Sequence, residues 1–145
     1  MGRRRTPGTR MDQYRLATRG DSEGLWDWNL ASNRVHFSPR WISMVGHEEH
    51  EVGNAPEEWL RRVHPEDVSK VQREIDAHLA EGPCEFSIRH RMLRKDGTYR
   101  WMSCRGVVVR DDGGRAVRLM GCHSDVTADT VADALIHAVC ADEAE

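Results

Sequence analysis

The sequence contains no run of the roughly 18 apolar residues that a helix needs to cross a membrane. Three consecutive arginines, Arg3, Arg4 and Arg5, stand near the start, but no apolar stretch follows them, which argues against a secretory signal. A net charge of -3 and a pI of about 6.2 do not suggest the concentrated basic surface that nucleic-acid phosphates require. We therefore expect a cytoplasmic protein that neither inserts into a membrane nor binds nucleic acid.

Sequence motifs of common catalytic sites are absent as well. There is no Gly-x-Ser-x-Gly nucleophile motif, no phosphate-binding Gly-Lys-Ser/Thr element and no pair of acidic residues that suggests a catalytic cleft. The four cysteines stand singly, without a Cys-x-x-Cys pair, so neither a zinc ribbon nor a dithiol redox motif is indicated. We expect no catalysis, and we expect each cysteine to be a small buried side chain. The cysteines are Cys84, Cys104, Cys122 and Cys140.

The composition of the chain fits a single domain with extended ends. With 39% hydrophobic and 31% charged residues, 145 residues suffice for one core but not for two. Residues 1–20 are predicted to form a flexible arm and an N-terminal helix. Residues 21–127 are predicted to form the domain. Residues 128–145 are predicted to form a C-terminal helix, in which apolar residues recur at four-residue spacing.

Five segments have the sequence pattern of β-strands. Residues 24–30 alternate apolar and polar side chains, and a turn then leads into a returning strand over residues 34–37. Lys95-Asp96-Gly97 and Asp111-Asp112-Gly113-Gly114 have the composition of tight turns, because Asp initiates turns and Gly tolerates positive φ. The strands around these two turns cover residues 84–93, 98–110 and 115–124. An opening hairpin and a closing three-stranded meander are predicted.

The segment between the hairpin and the meander is predicted to be helical. Ser38 and Pro39 form a start signal for a helix over residues 41–45, and residues 56–63 form a further helical turn. His64-Pro65-Glu66-Asp67 begins a longer helix, with acidic groups where the helix dipole favours them. Strands on both sides of a helical block indicate an α+β fold in which the first hairpin joins the last three strands in one sheet.

In this order the segments resemble the PAS (Per-Arnt-Sim) family of sensory domains, in its bacterial form with a PAC region, over about residues 21–127. The resemblance rests on four fragments: Gly24-Leu25-Trp26-Asp27-Trp28-Asn29, His64-Pro65-Glu66-Asp67, Arg94-Lys95-Asp96-Gly97-Thr98-Tyr99-Arg100-Trp101, and Gly121 with Asp125-Val126-Thr127. It implies a PAS fold with a five-stranded antiparallel sheet in the order 2-1-5-4-3. The helices are then inserted between strands 2 and 3, further helices flank the domain, and a small pocket lies inside.

The resemblance also implies a sensory and interaction module. In PAS proteins the closing Asp-x-Thr, here Asp125 and Thr127, joins the last strand to a helix that leads into an output domain, such as a histidine kinase or a cyclic-di-GMP enzyme. We expect a homodimer that relays a signal to a covalently linked or separate output domain. The candidate interface residues are Trp101 and Met120 on the outer face of the sheet, and Val131 and Leu135 on the C-terminal helix.

The inner face of the predicted sheet defines a pocket that is either filled by side chains or occupied by a ligand. Its candidate lining residues are Trp26, Trp28, His90, Met92, Met102, Cys104, Leu119, Gly121 and His123. Two tryptophans fill much of a small cavity, and this favours a filled core without cofactor. Histidine, sulfur and indole groups would also suit a small molecule, a flavin or a haem. Both hypotheses, the interaction module and the ligand sensor, stay open.

Two modes of cofactor binding known in PAS proteins require residues that this chain lacks at the corresponding positions. Covalent flavin photochemistry needs an Asn-Cys-Arg-like motif before the long helix, where this chain has Gly53-Asn54-Ala55-Pro56. Haem in this family is usually held by a histidine early in the long helix, and residues 68–73 contain none. Haem ligation would therefore fall to His90 or His123.

One further histidine pair is a candidate metal site. His47 and His50 are three residues apart, so on a helix they would share a face, and with Glu51 they could hold a divalent metal. The segment is more typical of a solvated loop, so no metal is expected there.

Overall fold

The structure is a computed structural model that describes residues 23–143, and its centre is one five-stranded antiparallel sheet. The strand order β2-β1-β5-β4-β3 confirms the predicted α+β fold and its order 2-1-5-4-3. The strands are β1 (Gly24–Asn29), β2 (Arg34–Phe37), β3 (Glu85–Leu93), β4 (Tyr99–Arg110) and β5 (Ala116–Asp125). Their ends agree closely with the sequence prediction, because period-two alternation and glycine-containing turns both mark where strands stop.

The helices lie between β2 and β3 and after β5. They are α1 (Pro39–Met44), a 3₁₀ helix (Glu49–Glu51), α2 (Glu57–Leu60), α3 (Val68–Ala80) and α4 (Thr127–Glu143). Helices α1, α2 and α3 pack on one face of the sheet and contribute side chains to the hydrophobic core there. The predicted arm and N-terminal helix of residues 1–20 lie outside the described residues. No helix in the described part of the chain is long and apolar enough to span a membrane.

The cap of α1 fixes that helix to the sheet. The Oγ atom of Ser38 accepts hydrogen bonds from the backbone N–H of Trp41 at 3.2 Å and from the backbone N–H of Leu25 on β1 at 2.9 Å. One buried hydroxyl therefore starts the helix and joins it to the neighbouring strand. As a result, the indole of Trp41, 1% exposed, points into the core.

Helix α3 begins at Val68, later than the predicted start at His64. Asp67 occupies the N-cap position, but its carboxylate makes no capping hydrogen bond. It accepts instead from the backbone N–H of Arg91 on β3 at 2.9 Å and from two guanidinium nitrogens of Arg91 at 2.9 and 2.8 Å. Asp67 therefore stands at the start of the helix, as predicted for an acidic group, and its carboxylate also anchors α3 to the sheet.

A close approach of three strands requires Gly121. This residue lies opposite Trp26 on β1 and Gly106 on β4. A Cβ atom on Gly121 would stand 2.1 Å from the carbonyl oxygen of Arg105 and 2.9 Å from Cζ2 of Trp26. No side chain fits in this space, so glycine is what lets the Trp26 indole lie against the centre of the sheet.

The cysteines divide between the core and the surface. Cys104 and Cys122 are fully buried, as predicted, whereas Cys84 is exposed. Cys84 lies just before β3 and not within it. The prediction for Cys84 was therefore wrong, because the general tendency of unpaired cysteine to be buried does not extend to this residue in the loop before the strand. The side chain of Cys140 lies outside the described part of the structure.

Candidate functional site

Five ring side chains meet between the sheet and the helices. They are Trp26 of β1, Trp41 of α1, Trp59 of α2, His90 of β3 and His123 of β5, and none is more than 1% exposed. We call this group the ring cluster. The His123 imidazole lies within it, with its centroid 5.1 Å from the Trp59 ring, 5.3 Å from the His90 ring and 6.0 Å from the Trp41 ring.

Each histidine of the ring cluster accepts a hydrogen bond from an indole. Nε1 of Trp41 donates to Nδ1 of His123 at 3.1 Å, and Nε1 of Trp59 donates to Nε2 of His90 at 3.2 Å. Because an indole nitrogen can only donate, the accepting imidazole nitrogens carry no proton. The neutral rings must then be protonated on the opposite nitrogens, Nε2 of His123 and Nδ1 of His90.

Burial keeps both imidazoles uncharged at neutral pH. The pKa of His90 falls from 6.5 to about 4, because burial penalises the imidazolium more than the attraction of the Asp67 carboxylate favours it. Burial also lowers the pKa of His123 well below its usual value, and the neighbouring His90 adds to this effect. His90 and His123 are therefore both uncharged inside an apolar core.

One buried donor of the ring cluster has no partner. Nε2 of His123 finds no hydrogen-bond acceptor among the described residues, whereas the Trp26 indole interacts with the Cys104 thiol and the His90 imidazole with the backbone of Ile88. A buried donor without an acceptor costs about 1–3 kcal/mol. The ring cluster thus holds one unused donor, Nε2 of His123, which suits a molecule presenting an acceptor atom.

The remaining predicted pocket residues surround the ring cluster. The side chains of Met92, Met102, Cys104 and Leu119 are 0–1% exposed and belong to the same core. Burial raises the pKa of the Cys104 thiol well above its usual value, so it stays protonated. Trp28 lies farther out, where its Nε1 donates to Oδ1 of Asn33 in the turn of the first hairpin at 3.0 Å.

Sequence reasoning missed two members of the ring cluster, Trp41 and Trp59. Both stand on helices of six and four residues, too short to show a helical period. A usable signal was nonetheless present. Each is a large apolar side chain shortly after a proline-containing helix start, Ser38-Pro39 or Pro56.

The junction between β5 and α4, residues 125–127, is tied to β4 by several hydrogen bonds. Asp125 accepts from the backbone N–H of Thr127 at 2.9 Å and from Nε of Arg100 at 2.8 Å. The hydroxyl of Thr127 accepts from the backbone N–H of Trp101 at 2.9 Å, and the N–H of Val126 donates to the Trp101 carbonyl at 2.8 Å. Both backbone polar groups of Trp101 therefore hold the start of α4.

Comparison with known proteins agrees with this geometry. A family model described as the PAS fold matches residues 34–123. The chain belongs to the PAS fold family. A solved sensory box histidine kinase/response regulator from Burkholderia thailandensis is similar to it with a TM-score of 0.76 and 27% identity, over 90% of this chain and 96% of that one. The N-terminal domain of a diguanylate cyclase with PAS/PAC sensor from Marinobacter aquaeolei gives a TM-score of 0.66 and 25% identity, over 74% and 98%.

A curated relative matches this chain over a small part of a much longer protein. The methyl sulfide methyltransferase-associated sensor of Methanosarcina acetivorans is 28% identical over 106 residues, which are 68% of this chain and 11% of that protein. The chain spans less than a fifth of the length of the curated relatives it matches. Its own fold is that of a sensor domain, which is regulatory and not catalytic.

The ring cluster of this PAS domain does not fit a haem or a metal bound through its histidines. Ligation uses the lone pair of a neutral imidazole. In His90 and His123 that lone pair accepts an indole N–H, and the other nitrogen carries the proton. A planar flavin does not fit either, because rings whose centroids are 5.1–6.0 Å apart are in contact. A flavin would have to displace at least one indole.

The second histidine pair of the PAS domain does not form the helical face considered from the sequence. His47 precedes the 3₁₀ helix Glu49–Glu51, whereas His50 lies within it. Glu51, the third candidate ligand, lies 2.7 Å from Nζ of Lys95. Within the described residues no group of three histidine, cysteine or acidic side chains could hold a metal ion.

The four candidate interface residues differ in accessibility. Val131 and Leu135 on α4 are 52% and 62% exposed. Trp101 is half-buried, with the Arg91 guanidinium 5.2 Å from its ring centroid. Met120 is only 2% exposed, so its prediction as an interface residue was wrong. Alternation gave the face of β5 on which Met120 lies, but it could not show that this face is buried there.

Proposed function

We propose that this PAS domain is the sensory part of a cytoplasmic signalling system and that it passes a change in the ring cluster through α4 to an output domain. The output would be a histidine kinase or a cyclic-di-GMP enzyme, in the same polypeptide or in a separate one. The single observation that carries the proposal is the double hold of Trp101 on the start of α4. The similarity to domains of a sensory histidine kinase and a diguanylate cyclase supports the choice of outputs.

A continuous set of contacts leads from the ring cluster to the junction. His90 is followed on β3 by Arg91, whose guanidinium is held by Asp67 and lies over the Trp101 ring. Arg91 and Trp101 are also direct partners in the β3–β4 pairing. A displacement of His90 would therefore change the position of Trp101, and with it the hydrogen bonds at Thr127. The relay then consists of a shift between two positions of α4.

Hydrogen exchange of the α4 amides tests the relay, with Thr127→Val compared with Thr130→Val. The first variant removes the hydroxyl that accepts from Trp101, whereas the Thr130 hydroxyl has no partner among the described residues. Loss of one such bond, about 1 kcal/mol, should speed exchange in the first turn of α4 several-fold. Equal exchange rates in the two variants would show that Thr127 does not hold the helix and would contradict the proposed relay.

We further propose that the domain forms a homodimer through α4. Val131, Leu135, Ile136 and Val139 are all more than half exposed, which is unusual for four large apolar side chains on one helix. A free helix of 17 residues is only marginally stable in water, so an exposed apolar stripe on it calls for a partner. A second copy of α4 offers a complementary stripe.

Sedimentation equilibrium tests the dimer. Leu135→Glu places a charge within the stripe, and His137→Glu places the same charge on the opposite side of the helix. The first variant should shift the equilibrium to monomer by about tenfold or more, since burying an unpaired carboxylate is costly, and the second should not. A wild-type chain that stays monomeric up to millimolar concentration would refute the dimer.

A ligand sensor is the second candidate function, and the unpartnered Nε2 donor of His123 inside the ring cluster favours it. The ligand would be a small molecule with an acceptor atom, such as a carbonyl or carboxylate oxygen, that enters when one indole moves. Native mass spectrometry and a visible spectrum of the purified protein test this candidate. A bound mass that disappears in His123→Phe would support it. An apo mass with a featureless spectrum, unchanged by cell extract, would count against it.

A further inference from the structure

A cleft of about 410 Å³ opens beside the junction, on residues other than those of the ring cluster. It is lined by Arg40, Ser43, Met44, Arg94, Ser124 and Asp125. We call it the junction cleft. Its volume lies within the range of roughly 300–1,000 Å³ that is typical of small-molecule sites. Helix α1, the end of β5 and the residue that follows β3 contribute to its walls.

Among the described residues, neither cation of the junction cleft has a hydrogen-bonded partner. Neither Arg40 nor Arg94 makes an ion pair or donates a side-chain hydrogen bond there, and Nε of Arg94 is buried without an acceptor. The charge of Arg94 acts on the Asp96 carboxylate only at longer range. The neighbouring cations are engaged, since Lys95 pairs with Glu51 and Arg100 pairs with Asp125. A guanidinium offers five donors, so two unpaired ones provide a large unused donor capacity.

The acid in the junction cleft does not neutralise these arginines. Asp125 directs one carboxylate oxygen to Arg100 at 2.8 Å and the other to the backbone N–H of Thr127 at 2.9 Å. The Ser124 hydroxyl, like the two guanidinium groups, has no partner among the described residues and is a further donor. The cleft therefore presents positive charge and free donors to whatever enters it.

We propose that the junction cleft binds the phosphate group of a small phosphate ester, held by Arg40 and Arg94 with the Ser124 hydroxyl as third donor. Two guanidinium groups match a doubly charged tetrahedral anion better than a singly charged carboxylate, because each can bind two of its oxygens. The cleft volume leaves room for a small organic group but not for a folded partner. The site shares Asp125 with the junction but no residue with the ring cluster.

Titration of the ¹⁵N-labelled protein with inorganic phosphate and with glycerol phosphate, at constant ionic strength, tests the proposal by NMR. Saturable shifts of the Ser43 and Ser124 backbone amides are expected with both. The double variant Arg40→Gln with Arg94→Gln should weaken binding about tenfold or more, as loss of charge-assisted hydrogen bonds predicts. Arg40→Gln alone, at an exposed position, should give an intermediate loss even if the double variant does not fold.

The control is Arg73→Gln, an exposed arginine on α3 that lies away from the junction cleft. It removes the same charge and should leave the phosphate affinity unchanged. Shifts that grow linearly without saturation would overturn the proposal, and so would an equal loss of affinity in Arg73→Gln. Acetate binding as tightly as phosphate would overturn the choice of ligand.

Discussion

The indole N–H of Trp41 donates to Nδ1 of His123 across 3.1 Å, although the two residues are 82 positions apart in the sequence. The bond joins α1 to β5, the strand that runs directly into the junction. His123 stands two residues before Asp125, whose carboxylate organises the start of α4. Helix α1 therefore sets the tautomer and the position of the His123 imidazole. His123 lies on β5, the strand that leads into the proposed relay.

The first prediction concerns these tautomers. Long-range ¹H–¹⁵N spectra at neutral pH should show His123 protonated at Nε2 and His90 at Nδ1, because each remaining nitrogen accepts from an indole. Trp41→Phe removes the donor to His123 and should destabilise the domain by about 2–4 kcal/mol through the unpaired acceptor and the lost ring volume. A wild-type His123 protonated at Nδ1 would contradict the hydrogen-bond assignment.

The second prediction concerns pH. The pKa of His90 is lowered to about 4 in the folded protein, against 6.5 as its ordinary value. Between these values the unfolded chain binds a proton at His90 that the folded chain does not, so the free energy of unfolding falls as the pH falls through this window. His90 alone should contribute about 3 kcal/mol to the loss, and His123 adds to it.

Urea unfolding between pH 7.5 and 4.5 measures this dependence. His90→Gln keeps an acceptor for the Trp59 indole but cannot take up a proton in this range, so its stability should depend less steeply on pH. His50→Gln changes an exposed histidine and should follow the wild-type curve. If His90→Gln and wild type lose stability in parallel, His90 is not the group that titrates.

The third prediction concerns the link between α3 and β3. The Arg91 guanidinium, with the backbone N–H of the same residue, lowers the pKa of Asp67 to about 2. Asp67→Asn should cost about 1–2 kcal/mol in the free energy of unfolding, because it weakens three charge-assisted hydrogen bonds at a partly buried site. The contribution of Asp67 is present above pH 3.8 and is lost as the pH falls toward 2.

Glu66 is the matched control for that variant, since it contacts the same guanidinium at 3.1 Å from a 74% exposed side chain. Glu66→Gln should change the free energy of unfolding by less than about 0.5 kcal/mol, as exposed pairs usually do. Thermal or urea unfolding of both variants at pH 7 decides the point. Similar small losses for Asp67→Asn and Glu66→Gln would mean that the Asp67–Arg91 pair does not anchor α3.

The strands could be read from the sequence because their evidence is local. Alternation in residues 24–30 and 84–93 and the glycine turns after Arg94 and Arg110 each depend on a few neighbouring residues. The order of the strands came from the family resemblance. The start of α3 was harder to predict from the sequence, because the Asp67 carboxylate bonds to Arg91, which is 24 residues away.

Only part of the candidate site could be predicted, because strand alternation is local whereas contacts between distant segments are not. Period-two alternation along β3 and β5 identified the inward faces that carry His90 and His123. It could not identify Trp41 and Trp59 as their partners, because these indoles arrive on short helices from distant parts of the chain. Nor could it show that Met120 is buried, since alternation gives the face of a strand and not what lies over that face.

The last prediction concerns the centre of the sheet. Gly121→Ala would bring a Cβ atom to 2.1 Å from the Arg105 carbonyl oxygen and 2.7 Å from the Gly106 Cα atom, both of them backbone atoms that cannot rotate away. Strands β4 and β5 must then separate. We therefore expect the free energy of unfolding to fall by more than about 3 kcal/mol, as severe overpacking produces, with little folded protein.

Gly113→Ala in the exposed β4–β5 turn is the control. The nearest atom there is the Asp111 carboxylate oxygen at 3.5 Å, so its free energy of unfolding should stay within about 0.5 kcal/mol of wild type. Circular dichroism and urea unfolding of the two variants make the comparison. A Gly121→Ala protein as stable as Gly113→Ala would show that the strands pair less closely around Trp26 than this structure has them.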